Sequence, residues 1–193
     1  MTIALTAIPD VLRIDRPVYK DARGWFVEAW SAERYAAAGL PVAFVQDNVS
    51  FSEHAVLRGL HLQREPQAQG KLVSVLSGEV FDVAVDVRFG SETFGQWVGE
   101  TLSAENGRQL YIPPGFAHGF VVTGPHALFA YKCTAPYAPS AEAAVRWDDP
   151  ELRIDWPVAS PVVSAKDAAA PLLRSLRGGP HPNPEANSER GRA

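Results

Sequence analysis

The chain has 193 residues, a net charge of -4, 46% hydrophobic and 21% charged residues. These values fit one soluble domain with a sizeable core, and they exclude a basic nucleic-acid surface or a like-charged membrane face as its main feature. The single cysteine, Cys133, excludes an internal disulfide and a four-thiolate zinc site.

The opening, MTIALTAIPD, has no basic n-region, and its apolar run stops at Pro9-Asp10, so it makes a poor signal peptide. No apolar stretch has transmembrane length; neither a membrane nor a nucleic-acid partner is expected, and the cytoplasm is the expected location. SAERYAAAGL predicts a helix, with Ser31 as cap, Glu33 in the first turn and Gly39 closing it. KLVSVL and EVFDVAVDV predict a strand pair joined at Ser77-Gly78. In the second, Phe81, Val83, Val85 and Val87 share one face, and Val80, Asp82, Ala84 and Asp86 the other. FGQWVGETL, RQLYIP, GFVVTG and ALFAYKCT predict further strands, and AKDAAAPLL a short second helix. Sixteen prolines and fifteen glycines punctuate the chain, as in an all-β sandwich or barrel. Residues 177–193 lack apolar periodicity and are expected to be a disordered tail on a domain spanning 1–176.

GRQLYIPPGFAHGF, at 107–120, reads as a strand entering a tight Pro-Gly turn that presents His118 as the next strand begins. Its Pro-x-Gly-x-x-His core resembles the second motif of the cupin superfamily, a jelly-roll β-barrel. The first cupin motif is His-x-His; here RGLHLQREPQAQGK gives His61, then Gln63, then Lys71. Two histidines beside an ammonium fall short of a catalytic metal site, so no metal and no cofactor are expected.

Arg58, His61, Gln63 and Lys71 make this wall polar, and a polar wall calls for a polar ligand. A neutral imidazole can take a proton from carbon beside a ketone, an ammonium can stabilise the enolate, and a phenol can return a proton from the opposite face. His61, Lys71 and Tyr131 are candidates for these roles. Tyr131 shares a strand face with Phe129 and Cys133, although a half-buried structural tyrosine fits the same pattern. Asp167 is either a helix cap, a solvated acid, or the group that orients His61. Asp82 either pairs with Lys71 or faces solvent.

In order along the chain, DARGWFVE, FVQDNVSFS, VLRGLHLQ, AQGKLVSVLSGEVFDVAVD, FGQWVGETLSAEN, YIPPGFAHGF, YKCTAPYAP, WDDPEL, IDWP and SAKDAAAP resemble the dTDP-4-dehydrorhamnose 3,5-epimerase family over about residues 1–173. The resemblance implies a metal-free cupin that inverts C3 and C5 of a dTDP-linked 4-keto-6-deoxy sugar. It implies His61 as base, Tyr131 as acid, Asp167 as support for the base and Lys71 as the enolate's partner; Asp82, from its place in the strand alternation, is taken as a further catalytic candidate. It implies Arg23, Phe26, Glu28, Gln46, Asp47, Asn48, Arg58, His118, Glu142 and Lys166 as nucleotide-sugar contacts and Tyr137 as the aromatic that stacks on thymine. It also implies a strand-exchanged homodimer in which Arg23 and Glu28 serve the neighbour's site. Departures are small: Trp25 precedes Phe26 where two phenylalanines are common, Ser50-Phe51 is more apolar than usual, and the tail is extra. The alternatives are an epimerase acting at one carbon only, a metal-dependent cupin, and a binding protein without catalysis.

Overall fold

A computed structural model describes residues 1–40 and 43–176; the tail expected at 177–193 lies outside the described residues. The strands are β1 (Thr2–Leu5), β2 (Leu12–Asp15), β3 (Tyr19–Asp21), β4 (Gly24–Phe26), β5 (Gln46–Glu53), β6 (Leu57–Gln63), β7 (Lys71–Asp86), β8 (Trp97–Ser103), β9 (Arg108–Ile112), β10 (Phe116–Cys133) and β11 (Glu142–Ala144). The helices are α1 (Ala32–Ala37) and α2 (Ala165–Ala168), with short 3-10 turns at Pro139–Ala141 and Leu173–Leu176. The fold is all-β, of the cupin jelly-roll type expected from the sequence. Among the described residues no helix is long and apolar enough to cross a membrane.

Two long strands organise the barrel. The first part of β7 pairs with β9 through Lys71–Ser74, and its second part pairs with β8 through Glu79–Val85. β10 follows β7 along both parts, pairing with β6 near its start and with β5 near its end. One sheet therefore runs β1-β2-β9-β7-β10-β5, and the facing sheet runs β8-β7-β10-β6-β11. This corrects two expectations. Ser77-Gly78 is not a hairpin turn but the point where one strand passes from sheet to sheet, with Gly78 at φ +82°. GFVVTG and ALFAYKCT are likewise parts of the single strand β10, whose register with β7 shifts between Val122 and Ala127. A glycine between two alternating runs looks the same in sequence whether the chain reverses or only bends.

The apolar alternation fills three layers. Val73, Val75, Val80, Ala84, Leu110, Phe120 and Phe129 pack between the sheets. The Val83–Val85 face packs outward against Leu152, Trp156 and Leu173 of the C-terminal segment. The other sheet's outer face, with Ile14, Leu72 and Tyr111, is covered by Tyr35 of α1 and by Leu40. Ser31 caps α1, its side chain accepting from the Arg34 amide, and Gly39 follows at φ +94°, both as expected. Hence Val80, Asp82 and Ala84 face the interior, and Asp82 is buried completely.

Candidate active site

The site draws on both sheets. From the β8-β7-β10-β6-β11 sheet, the register sets His118 of β10 opposite His61 of β6 on one side and Ala84 of β7 on the other. From the other sheet, Tyr131 lies between Val73 and Asn48, and Cys133 between Lys71 and Gln46. The side chains of Gln46, Asn48, Ser50 and Ser52 alternate inward along β5, whereas Asp47, Val49, Phe51 and Glu53 face out.

His61 Nε2 lies 2.7 Å from Asp167 Oδ1, across 106 residues of sequence. A carboxylate only accepts, so Nε2 carries the proton, and Nδ1 is the unprotonated nitrogen of the neutral ring. Asp167 is held in turn. Its amide donates to the Ser164 cap of α2 at 3.1 Å, and its Oδ2 accepts from the Gly59 amide at 3.4 Å. Val162 tethers this segment to β6, accepting from the Leu57 amide at 2.9 Å. Of the readings open for Asp167, the orienting one matches this geometry, and Asp167 is also buried.

Asp82 does not face solvent, and its hydrogen bond is not to Lys71. Its Oδ2 accepts from His118 Nε2 at 2.9 Å, and its Oδ1 is buried with no hydrogen-bond partner among the described residues. Burial pushes the Asp82 carboxyl up and the His118 imidazolium down, so His118 is neutral at pH 7. Lys71 is half-buried; its ammonium reaches the His61 carbonyl at 3.4 Å. Burial pulls its pKa down, and the charges of Cys133, Asp82 and Glu142 work the other way. Burial raises the Tyr131 phenol, as does Cys133, whereas the Arg58 guanidinium lowers it. Among the described residues, no three His, Cys, Asp or Glu side chains are grouped to hold a metal ion.

The family model for dTDP-4-dehydrorhamnose 3,5-epimerase matches residues 5–175. The chain belongs to this family. It is 55% identical over 175 residues to the dTDP-4-dehydrorhamnose 3,5-epimerase of Salmonella typhimurium, covering 90% of this chain and 96% of the relative. It is 58% identical over 163 residues to the Pseudomonas aeruginosa enzyme of the same name, covering 83% and 90%. The crystal structure of the 3,5-epimerase from Legionella pneumophila, in complex with dTDP-4-keto-L-rhamnose, superposes with a TM-score of 0.85 at 55% identity, covering 90% of this chain and 93% of that one.

In this member of the 3,5-epimerase family a second polar cluster adjoins the His61 dyad. Glu142 Oε2 accepts from Lys166 Nζ at 2.7 Å and from the Tyr137 hydroxyl at 3.1 Å. Lys166 is the main reason the Glu142 carboxyl sits below its usual range, and His61 adds to it. Gln46 Oε1 accepts from the Tyr137 amide at 2.8 Å, and its Nε2 donates to Asn48 at 3.0 Å. Arg58 is exposed and donates to Ser52 Oγ at 3.0 Å and to the Phe51 carbonyl.

Four expected contacts are not gathered with the rest. Asp47 turns outward to Lys132, at 2.9 Å. Arg23 and Phe26 are exposed on the β3-β4 hairpin, which forms its own two-stranded sheet, with Arg23 bound to Asp21. Glu28 pairs with Arg34 at 3.2 Å. Two features were missed from sequence. One is the His118–Asp82 pair, whose only signal was the shared face of β7. The other is the bonding of Gln63, whose partners stand as far as 75 positions away and leave no local signature.

Proposed function

We infer that the protein epimerises dTDP-4-dehydro-6-deoxy-glucose at C3 and C5 to give dTDP-4-dehydro-rhamnose, an isomerase step of dTDP-rhamnose biosynthesis. The observation that carries this reading is the His61–Asp167 dyad, in a chain of the 3,5-epimerase family. C3 and C5 both flank the C4 ketone, so one chemistry serves both. His61 Nδ1 removes the proton, Asp167 stabilises the imidazolium that forms, and the Lys71 ammonium offsets charge on the enolate oxygen. Tyr131 returns a proton from the other face, which inverts the carbon. Its raised pKa keeps it protonated for that role at neutral pH. His118, held neutral by burial and oriented by its hydrogen bond to Asp82, is a hydrogen-bonding contact for the sugar, and Arg58, Lys166, Gln46 and Asn48 hold the nucleotide end.

The reading takes 1–176 as the epimerase domain and the cytoplasm as its place, which suits the lone thiol. It also takes a homodimer as the working form. The β3-β4 hairpin exposes Tyr19, Trp25 and Phe26, and β5 exposes Val49 and Phe51, an apolar surface that a second copy would cover. Arg23, Phe26 and Glu28 would then complete the neighbour's site.

Solvent isotope exchange tests the reaction. The metal-stripped protein is incubated with the substrate in heavy water, and the C3 and C5 protons are followed by NMR. Loss of both signals is expected. Loss of one would assign the protein to single-carbon epimerisation, and loss of neither from folded protein would overturn the reading.

A further inference from the structure

We propose that Gln63 is a positioning residue for nucleotide binding: its amide locks the loop that presents Tyr137 as a flat surface for the thymine base. The proposal rests on the reading of Tyr137 as the stacking aromatic. Gln63 is the last residue of β6, with only 4% of its surface exposed. Its Nε2 donates to the Gln67 carbonyl at 2.7 Å and to the Pro136 carbonyl at 3.2 Å. Its Oε1 accepts from the Ala138 amide at 2.8 Å. Both amide hydrogens and the oxygen are thus engaged, and two of the three bonds grip the residues on either side of Tyr137.

Tyr137 itself is fixed at both ends. Its amide donates to Gln46, and its hydroxyl donates to Glu142, which the β11 register sets opposite Gln63. The residue nevertheless stays 55% exposed. An aromatic ring pinned through its backbone and hydroxyl, with its face open, is already ordered before a base arrives. Affinity then loses little to the entropy of ordering the loop. The residue type matters. A neutral histidine here, as in a His-x-His motif, offers one donor and one acceptor and cannot make three bonds; glutamate would set a carboxylate against two carbonyls.

The test measures dTDP and inorganic pyrophosphate affinities by calorimetry, together with steady-state kinetics, on Gln63→Leu, Gln63→Glu, Tyr137→Ala and the Gln63→Leu/Tyr137→Ala double variant. Gln63→Leu is expected to weaken dTDP about tenfold and raise KM in step, with kcat and pyrophosphate affinity within about threefold of the parent. In the Tyr137→Ala background the same change is expected to cost less than about twofold, because the ring it positions is gone. Gln63→Glu keeps the side-chain volume and the bond from Ala138, serves where the leucine variant does not fold, and is expected to weaken dTDP as well. The proposal is overturned if Gln63→Glu binds dTDP like the parent, if pyrophosphate weakens as much as dTDP, or if the two substitutions are additive. Parent-like dTDP binding by Tyr137→Ala would overturn the stacking reading and this proposal together. A normal loss in Tyr137→Ala with none in the Gln63 variants would overturn this proposal alone.

Discussion

A histidine serves as base only if the correct nitrogen is free, and in the role proposed for His61 the hydrogen bond to Asp167 leaves Nδ1 free. His61→Ala is expected to lower kcat about a thousandfold with dTDP affinity changed less than about threefold, because a general base acts on the transition state more than on the ground state. Stopped-time NMR of epimerisation and calorimetry with dTDP check the two halves. At Tyr35 the same scale bears on stability. The phenol is fully buried, donates to Gln109 Oε1 at 2.6 Å, and is pushed up to about 12, chiefly by burial. Between its unfolded and folded pKa the native state holds a proton that the unfolded chain has lost, so stability falls as pH rises through that window. From pH 8 to 11 the parent should lose about 1 kcal/mol more than Tyr35→Phe in urea unfolding; equal losses would refute the assignment. Residue types made part of the site legible. An imidazole, an ammonium and a phenol suit abstraction beside a ketone wherever they meet. Their partners were less legible: strand alternation left the face of Asp82 open, and only the packing of Val80 and Ala84 between the sheets shows it to be inward.

At the scale of elements, β7 and β10 carry the design through the bend at Gly78. A Cβ there would lie 1.8 Å from the His126 carbonyl oxygen of β10, in a left-handed backbone besides. Gly78→Val should therefore destabilise the protein by about 3 kcal/mol, read as a lowered urea midpoint with an unchanged slope. A midpoint within error of the parent would mean that the crossing yields easily. The strands, their faces and α1 with its Ser31 cap were legible because they follow local periodicity. The continuity of β7 was not. Whether Ser77-Gly78 reverses the chain depends on β8 and β9, which pair with opposite ends of the same strand and lie later in the sequence.

At the scale of the molecule, the ordered motifs led to the family and its barrel, whereas the completeness of a single chain's site was not readable. The β3-β4 hairpin carries Arg23 and Phe26 yet, among the described residues, pairs with no strand of the barrel. If it completes a neighbour's site, two inactive variants should rescue each other. Arg23→Ala and His61→Ala subunits, unfolded together and refolded at equal ratio, should recover about a quarter of parental activity, since half the dimers are hybrids with one intact site. No recovery, with hybrids demonstrated by mass, would show that Arg23 works within its own chain.

Lys71 and Asp82 lie near the two ends of β7, one in each sheet, and their charges act on one another across the site. The span between the sheets at that point is therefore set by one covalent strand rather than by two layers free to slide. β10 crosses beside it, paired with β7 in both sheets, so the two sheets share two continuous strands at that crossing. In the proposed reaction the enolate's partner Lys71 and the acid Tyr131 would both ride on strands common to the two sheets, with the nucleotide meeting the exposed Tyr137 at the surface.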